Sequence, residues 1–367
     1  MPEMMYREIP HTGDRVSVIG MGGSMIGEKP KEEIVEVVKA AMAAGINYFD
    51  CAAGHAPLYE AYGEAFQGCR DQVMLQIHFG ANYVTGAYGW TLDLEEIKAS
   101  VAWQLDKLQT DYIDYGFIHC LDELDDWETY QNNGVLDYIK ELKAKGVVRH
   151  IGLSTHTPAI ANAVLDTGLI DVMMFSINPA YDYSNGEYAF GDRNERQELY
   201  TRCEKEGVAI TVMKPYSGGQ LLDAKQSPFG VALTTTKCIA YALSKPAVVT
   251  VLPGFADMDQ LNDALQYLSA SDLAKDFSVV GRFTPVDMKG RCVYCNHCQP
   301  CMAGINIGLV NKYYDLARMG DDMARDHYME LDVHASECIL CGKCDHQCPF
   351  LVKQRDRMGE IAKYFGR

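Results

Sequence analysis

The sequence predicts an α/β fold in which a (β/α)8 TIM barrel over residues 1–283 precedes a smaller, mostly helical domain over residues 284–367. Three observations lead to this fold class. The chain has 367 residues, 48% of them apolar, which is enough for a barrel-sized core with an appendage. Short apolar runs alternate with helical stretches from residue 15 to about residue 270, and beyond residue 284 the composition becomes rich in cysteine.

Eight short, largely apolar runs are predicted as strands. They are Val16–Gly20, Ile46–Asp50, Gln72–Ile77, Tyr112–Ile118, His150–Ser154, Asp171–Ser176, Ala209–Lys214 and Val248–Leu252. Each run is too apolar for a sheet with one solvated face, and Glu32–Ala44 has helical periodicity that Gly45 ends. Eight such units over roughly 250 residues are typical of a closed barrel, whose active site lies at the C-terminal ends of the strands. An open doubly wound sheet is disfavoured because no G-x-G-x-x-G follows the first strand.

Charge and hydropathy exclude two kinds of partner. The net charge of -17 argues against nucleic acid, because neutralising phosphates needs clustered Lys and Arg. No apolar stretch reaches the roughly 18 residues of a membrane-spanning helix, and the N-terminus has no signal-peptide pattern. We therefore expect a cytoplasmic protein that acts on a small molecule. In that reducing compartment, dense cysteines indicate metal or redox centres rather than disulfides.

Eight of the 13 cysteines lie in two regular runs. The first run is Cys292, Cys295, Cys298 and Cys301, and the second is Cys338, Cys341, Cys344 and Cys348, followed by Pro349. The second spacing is that of bacterial ferredoxins, in which three cysteines bind one [4Fe-4S] cluster and the fourth binds the other. Zinc is the competing interpretation, but it does not explain three consecutive C-x2-C steps that end in Cys-Pro. The sequence predicts two [4Fe-4S] clusters, with Leu309–Arg325 as a helix between the runs.

The barrel residues resemble the aldo-keto reductase family along their whole length. The matching segments are Tyr6-Arg7, Gly45–Asp50, Asp111–Asp114 with Ile118-His119, Gly146–Ser154 and Val251–Gly254. Met213-Lys214-Pro215 and Gly218-Gly219, followed by the cysteine runs, are similar to a bacterial subgroup with a C-terminal ferredoxin domain. The resemblance implies an oxidoreductase whose Asp, Tyr, Lys and His surround a nicotinamide ring.

The implied catalytic positions are only partly kept. Asp50 and His119 stand where the family has Asp and His, whereas His55 stands at the tyrosine position and His78 at the lysine position. With ten histidines in 367 residues, chance would place histidine at both altered positions about once in a thousand cases. We therefore predict a rebuilt catalytic site of Asp50, His55, His78 and His119. Tyr88 is one of several aromatic residues expected in loops near the barrel mouth.

The implied cofactor-binding residues are Ser154, Thr155, Lys214 and Gly254. Thr155 stands where the family usually has Asn, and Met174 where it has Gln. The segment 254–264, which in the family grips the adenosine phosphate, contains three Asp and no Lys or Arg. A 2'-phosphate would be repelled there, so NADPH is not expected, while NADH stays open.

Two chemical interpretations of the barrel site remain open. In the first, His55 or His119 is the general acid toward a small carbonyl or hydroxyl compound, and the clusters relay electrons, with a redox carrier protein as partner. In the second, Asp50, His55, His78 and His119 bind a mononuclear Zn, Fe or Mn in a lyase, isomerase or hydrolase whose clusters are structural or regulatory. A degenerate barrel that acts only in electron transfer or binding is the remaining alternative.

Overall fold

The computed structural model of this chain describes residues 3–52, 55–183, 186, 188–283, 290, 292–318, 321 and 323–367, and at residues 282 and 283 only the backbone. Its strands are β1 (Tyr6–Glu8), β2 (Arg15–Ser17), β3 (Tyr48–Asp50), β4 (Met74–Phe79), β5 (Ala81–Asn82), β6 (Gly89–Trp90), β7 (Ile113–Ile118), β8 (Val148–Thr155), β9 (Val172–Ser176), β10 (Ala209–Met213) and β11 (Val248–Val251). The helices α1 to α11 are Lys31–Ala43, Pro57–Ala65, Leu94–Leu108, Leu124–Asn132, Val135–Ala144, Pro158–Leu165, Pro179–Asp182, Arg193–Glu206, Thr235–Leu243, Met258–Leu265 and Asp272–Lys275. The helices α12 to α15 are Ile307–Arg318, Met323–Met329, Lys343–Gln347 and Gln354–Phe365.

A curled parallel sheet of seven strands forms the barrel wall, in the order β11-β10-β9-β8-β7-β4-β3. Its two edges are joined through the segment 18–22, because Ile19 forms a parallel bridge with Val251 of β11, and Met21 forms one with Phe49 of β3. The predicted strand Val16–Gly20 is thus divided, since its beginning pairs with β1 in antiparallel fashion and its end lies between the sheet edges. This arrangement is consistent with the predicted (β/α)8 barrel.

The wall is buried on both sides, since helices cover the outside and side chains fill the inside. Every residue of β7 and β9 is buried. Tyr48, Tyr115 and Met174 belong to one packed cluster of strand residues. The β1–β2 hairpin closes the N-terminal end, where the Tyr115 hydroxyl donates to Asp14 Oδ2 at 2.5 Å. The C-terminal ends of the strands are therefore the end of the barrel at which a site can open.

The cysteine-rich segment has a small core of its own, which includes Ile305, Tyr328 and Phe365. Val293, Phe350 and Val352 instead join the main core, so this segment packs against the barrel. The predicted boundary between residues 283 and 284 falls at residues 284–289, which lie outside the described part.

The helix predicted over Leu309–Arg325 is wrong in its extent. The first helix, α12, ends at Arg318, and a second helix, α13, begins at Met323. Asp321 separates them, because its carboxylate accepts from the backbone N–H groups of Met323 at 3.0 Å and Ala324 at 3.3 Å and so caps the second helix. Among the described residues, no helix is long and apolar enough to cross a membrane.

Candidate active site

Asp50, His78 and His119 lie together at the C-terminal ends of three neighbouring wall strands. Asp50 is the last residue of β3, His78 is the last but one of β4, and His119 follows β7 directly. All three are buried, with 5%, 1% and 7% of their surface exposed. Parallel strands end at the same rim of a barrel, and this explains why residues far apart in the sequence meet here.

The three side chains form a line of hydrogen bonds. His78 Nε2 lies 2.9 Å from Asp50 Oδ1, and His78 Nδ1 lies 2.9 Å from His119 Nδ1. Because His78 uses its two ring nitrogens in different directions, the three side chains do not face one common centre as ligands of a single metal ion would. Burial, with the neighbouring His78 and His156, lowers the pKa of His119 well below its usual range, so this imidazole is neutral at pH 7.

Gln76 and Tyr48 hold the carboxylate end of the line. Gln76 Nε2 donates to Asp50 Oδ1 at 3.2 Å and lies 2.8 Å from His78 Nε2. The Tyr48 hydroxyl donates to Gln76 Oε1 at 2.7 Å, which fixes the orientation of the amide. The Ala52 N–H donates to Asp50 Oδ1 at 3.0 Å. These buried donors keep the carboxylate in place without solvent reorganisation.

Tyr88 forms the other end of the line, because its hydroxyl lies 2.9 Å from His119 Nε2. It belongs to the β5–β6 hairpin, which leaves the barrel directly after β4. Gly80 begins the hairpin with φ of +116°, and a Cβ there would lie 3.0 Å from the Thr91 carbonyl oxygen and 3.4 Å from His119 Cβ. Glycine is thus needed for the hairpin to fold back over His119. Burial raises the pKa of Tyr88 to about 12. We call Asp50, His78, His119 and Tyr88 the relay line.

His55 lies apart from the other three predicted catalytic residues. Its Nε2 is 3.3 Å from Glu28 Oε1, and its side chain is 45% exposed. Its backbone forms an antiparallel bridge with Ala87 of the hairpin. Residues 53 and 54 lie outside the described part. In the structure as described, His55 is beside the hairpin and has no hydrogen bond to the relay line.

A cavity of about 690 Å³ opens at the same end of the barrel. Its volume is in the range of small-molecule and cofactor sites, about 300–1,000 Å³. Of the predicted cofactor-binding residues, Lys214 and Gly254 line it. Thr155 and Ser154 do not, since both are buried at the end of β8 and the Thr155 hydroxyl donates to Asp122 Oδ1 at 3.1 Å.

The lining of this cavity is aromatic, with a tight turn along one side. Tyr181, Tyr188 and Tyr216 contribute rings. In the turn after β10, Gly218 and Gly219 have φ of +64° and +90°, and a Cβ at either would meet open space. The backbone there is therefore accessible to a ligand.

The charges around the cavity are unequally distributed. Lys214 is the single basic residue among the described lining residues, and its Nζ lies 4.0 Å from the centre of the Tyr188 ring. Asp259 and Asp263 also line the cavity. Among the described lining residues, the Lys214 side favours an anionic group, while Asp259 and Asp263 disfavour one.

Cys120 and His156 connect the cavity with the relay line. Cys120 follows His119 and has its Sγ 3.9 Å from His156 Nδ1, and the His156 ring packs on Tyr188 with centroids 4.6 Å apart. His156 Nδ1 also lies 2.9 Å from Asp122 Oδ2. In the described part of the chain, Cys120, Asp122 and His156 are the one group of three potential metal ligands with donor atoms within 4.8 Å of one another. Asp122 also accepts from the Thr155 and Thr157 hydroxyls, so this group joins the loops after β7 and β8.

The eight clustered cysteines form two groups in space. Burial raises the pKa of Cys295 to about 12, and Cys292 and Cys348 are near enough to contribute. Burial likewise raises the pKa of Cys298, with contributions from Cys292, Cys295 and Cys348. Cys301, Cys338, Cys341 and Cys344 line a small cavity that Cys298 also borders. Cys292, Cys295 and Cys348 thus form a first group and Cys301, Cys338, Cys341 and Cys344 a second, and Cys298 borders both.

The sulfurs of the described cysteines lie farther apart than a tetrahedral zinc site requires. Zinc with bonds of about 2.3 Å in tetrahedral geometry would hold its thiolates only about 4 Å apart. Among the described cysteines, no three sulfurs lie within 4.8 Å of one another. A [4Fe-4S] cluster binds each thiolate at a different iron, which requires the wider spacing.

The two groups differ in their surroundings. Cys292, Cys295 and Cys348 pack against the main core, so the first group lies at the barrel. Cys341 of the second group is exposed. The second group is therefore the outer one.

Sequence reasoning missed Gln76 and His156 and gave Tyr88 no specific role. Gln76 precedes His78 by two positions on β4, so both side chains lie on the same side of the strand. That periodicity was a usable signal for Gln76. The sequence offered no such periodic signal for Tyr88, since the two strands of its hairpin have only two residues each.

This chain is similar to known proteins both in sequence and in structure. Residues 18–232 match the family described as "Aldo/keto reductase family". The oxidoreductase YqkF of Bacillus subtilis is 25% identical over 313 residues, which cover 74% of this chain and 94% of that protein. The L-galactose dehydrogenase of Arabidopsis thaliana is 24% identical over 298 residues, which cover 72% of this chain and 88% of that protein. In structure, the chain is similar to the holo form of aldo-keto reductase AKR11C1 from Bacillus halodurans, with a TM-score of 0.63, 22% identity, and coverage of 77% of this chain and 97% of that one.

Proposed function

This chain belongs to the aldo/keto reductase family and is an oxidoreductase, and we propose that it interconverts a small hydroxyl compound and its carbonyl counterpart with the help of two [4Fe-4S] clusters. The observation that carries the proposal is the buried line of hydrogen bonds from Asp50 through His78 to His119, at the end of the barrel where a cavity of cofactor size also opens. Hydroxyl–carbonyl chemistry needs a proton exchanged at oxygen and a hydride exchanged at carbon. The line of hydrogen bonds can exchange the proton, and the cavity can hold a cofactor that exchanges the hydride.

Neutral imidazoles suit proton exchange near neutral pH. His119 is neutral at pH 7 because burial lowers its pKa, and His78 joins it to the Asp50 carboxylate. Each imidazole can take up a proton at one nitrogen and release one at the other, so charge does not build up in the buried site. Such positioned acid–base groups typically accelerate a reaction by about 10²–10⁴-fold.

We propose a nicotinamide dinucleotide as the cofactor of the cavity, and when bound it would supply or accept the hydride. Lys214 and the turn at Gly218 and Gly219 would hold its pyrophosphate, while Asp259 and Asp263 disfavour a 2'-phosphate. We therefore propose NADH in preference to NADPH. Binding titrations test this, with NADH expected to bind at least about tenfold more tightly. NADPH binding as tight as NADH binding would refute the assignment.

The two cysteine groups would each bind one [4Fe-4S] cluster. Cys292, Cys295, Cys298 and Cys348 would hold an inner cluster beside the barrel, and Cys301, Cys338, Cys341 and Cys344 an outer one. Each bound cluster would take up one electron, so the pair could hold the two electrons released when the reduced nicotinamide dinucleotide is reoxidised. The exposed position of Cys341 favours electron exchange between the outer cluster and a redox carrier protein.

An anaerobic turnover experiment tests this proposal. Oxidised holoprotein is mixed with NAD⁺ and a panel of small alcohols and sugars, and NADH formation and the visible absorbance of the clusters are followed together. We expect substrate-dependent NADH formation and, with substrate in excess, bleaching of the clusters as further NADH is reoxidised and passes one electron to each cluster. Failure of every hydroxyl and carbonyl compound to react would refute the barrel chemistry, and clusters that stay oxidised during full turnover would refute their redox role.

A matched pair of variants separates the two parts. Cys341→Ser removes an outer ligand, and Cys69→Ser changes a half-buried cysteine outside the runs. We expect Cys341→Ser to lose electron exchange with an external one-electron dye while it keeps NAD⁺-dependent oxidation. Cys69→Ser should keep both.

A further inference from the structure

We infer that Tyr88 is the catalytic residue that exchanges the proton with the substrate oxygen, while His119, His78 and Asp50 move that proton into the barrel or back. The inference rests on the proposed function and assigns the point at which the relay line meets the substrate. Tyr88 is 44% exposed, whereas the other three members are buried. A substrate at the barrel mouth therefore meets Tyr88 before it meets the buried members of the line.

The ionisation state of Asp50 decides which atom of each hydrogen bond in the line carries the hydrogen. An ionised carboxylate only accepts, so His78 Nε2 donates to Asp50 Oδ1 at 2.9 Å. A neutral imidazole carries one N–H, so His78 Nδ1 accepts from His119 Nδ1 at 2.9 Å. His119 Nε2 then has no hydrogen and accepts from the Tyr88 hydroxyl at 2.9 Å. With Asp50 ionised, every hydrogen bond in the line points toward Asp50.

The line has a second ordered state when Asp50 is protonated. His78 Nε2 is then the acceptor, and His78 Nδ1 donates to His119 Nδ1. His119 Nε2 donates to the Tyr88 oxygen, which leaves the Tyr88 O–H free to donate to a substrate. The Gln76 amide, 2.8 Å from His78 Nε2, can donate to it in this state and to Asp50 Oδ1 in the other. With Asp50 ionised, the Gln76 and His78 N–H groups instead face each other at 2.8 Å, so this contact favours the second state.

Oxidation of a hydroxyl compound converts the first state into the second. The substrate O–H proton passes to the Tyr88 oxygen, the Tyr88 proton passes to His119 Nε2, and the same shift through His78 leaves one proton on Asp50. The substrate C–H bond breaks, and its hydrogen leaves with both electrons to the oxidised nicotinamide dinucleotide, which is the co-reactant. The substrate loses two electrons and two hydrogens and gains a C=O bond. Carbonyl reduction is the reverse.

Tyr88 belongs to the hairpin that pairs with the backbone of His55. Ala87, the residue before Tyr88, forms the backbone bridge with His55. The hairpin therefore delivers a phenol next to the place where the resemblance implies a tyrosine. His55 itself is turned toward Glu28.

A pair of Tyr→Phe variants in the holoenzyme tests the inference by kinetics. Tyr88→Phe removes only the hydroxyl, and Tyr83→Phe is the matched control, because Tyr83 is in the same hairpin, with its ring 5.8 Å from that of Tyr88, and hydrogen-bonds to Tyr59. We expect Tyr88→Phe to lower kcat by about 10²–10³-fold with KM within about threefold, and to flatten the pH profile of kcat. Tyr83→Phe should stay within about threefold of wild type. A Tyr88→Phe enzyme with more than half of wild-type kcat would overturn the inference.

A measurement without substrate separates this inference from the proposed function. In protein labelled with ¹⁵N-histidine, we expect Tyr88→Phe to shift the His119 Nε2 resonance, because that nitrogen loses its partner, and Tyr83→Phe to leave it unchanged. A His119 resonance that does not respond to Tyr88→Phe would overturn the relay. Absence of any hydroxyl or carbonyl turnover in the wild type, together with the expected resonance shift, would refute the proposed function and the catalytic role of Tyr88 while leaving the hydrogen-bonded relay line in place.

Discussion

Replacing Asp182 with Asn tests how the barrel and the cavity are held together. The carboxylate is 4% exposed, and its Oδ1 accepts from Arg196 Nε at 2.8 Å and from the Tyr200 hydroxyl at 2.7 Å. Its Oδ2 accepts from the Tyr241 hydroxyl at 2.7 Å and lies 4.0 Å from Lys245 Nζ. Although burial alone would raise the pKa of Asp182, Arg196 and Lys245 lower it, so the group is ionised at pH 7.

The expected loss follows from the charges that remain. Asp182→Asn keeps the shape but leaves the buried cations Arg196 and Lys245 without their anion, and breaking a buried ion pair in this way costs about 3–5 kcal/mol. Asp182 ends α7, which also carries Tyr181 to the cavity, so NADH binding should weaken as well.

Urea unfolding of the full chain, followed by circular dichroism at pH 7, measures this loss. Asp166→Asn is the matched control, because Asp166 pairs with Arg202 at 2.7 Å but is 70% exposed. An exposed pair contributes at most about 1 kcal/mol. Should Asp182→Asn lie within about 1 kcal/mol of the wild type, the reasoning about the buried network would be refuted.

Three further predictions concern the lysine, the histidines and the cysteines. Burial lowers the pKa of Lys245 from 10.5 to about 8. Between these pH values the unfolded chain binds more protons than the folded chain, so the free energy of unfolding rises with pH, by up to about 3 kcal/mol. Lys245→Met should abolish this rise in urea titrations at pH 8 and pH 10. His119→Ala should lower kcat by about 10²–10⁴-fold and His55→Ala by less than about threefold in steady-state assays, and the reverse order would place the proton exchange at His55. Cys348→Ser should reduce iron from about eight to about four per chain by elemental analysis, with the loss from the inner cluster; an unchanged iron content would contradict its assignment as a ligand.

The sequence predicted the wall of the barrel well because its strands are buried on both sides. Tyr112–Ile118 is a continuous apolar run, and the structure has β7 at Ile113–Ile118. The same logic predicted that Asp50 and His119 would be neighbours, since parallel strands end at one rim. The division of Val16–Gly20 could not be predicted, because one continuous run pairs first with β1 and then with the edges of the sheet.

The candidate site was harder to predict where it depends on short or capped segments. The hairpin that carries Tyr88 has two residues in each strand, too few for any periodic signal. Position-by-position resemblance indicated His55, but it could not show that His55 turns toward Glu28. The split of Leu309–Arg325 depends on one capping carboxylate, Asp321, inside an otherwise helical pattern.

Metal analysis combined with electron paramagnetic resonance on anaerobically prepared protein tests the central claim most directly. We predict about eight iron and eight sulfide per chain and no stoichiometric zinc. Reduction with dithionite should give the signals of two reduced clusters, and addition of a small reducible carbonyl compound such as glyceraldehyde, with NAD⁺ present, should diminish them. Two zinc ions per chain would contradict the iron–sulfur assignment, and cluster signals that persist while the carbonyl compound is reduced would contradict the transfer of electrons to the barrel.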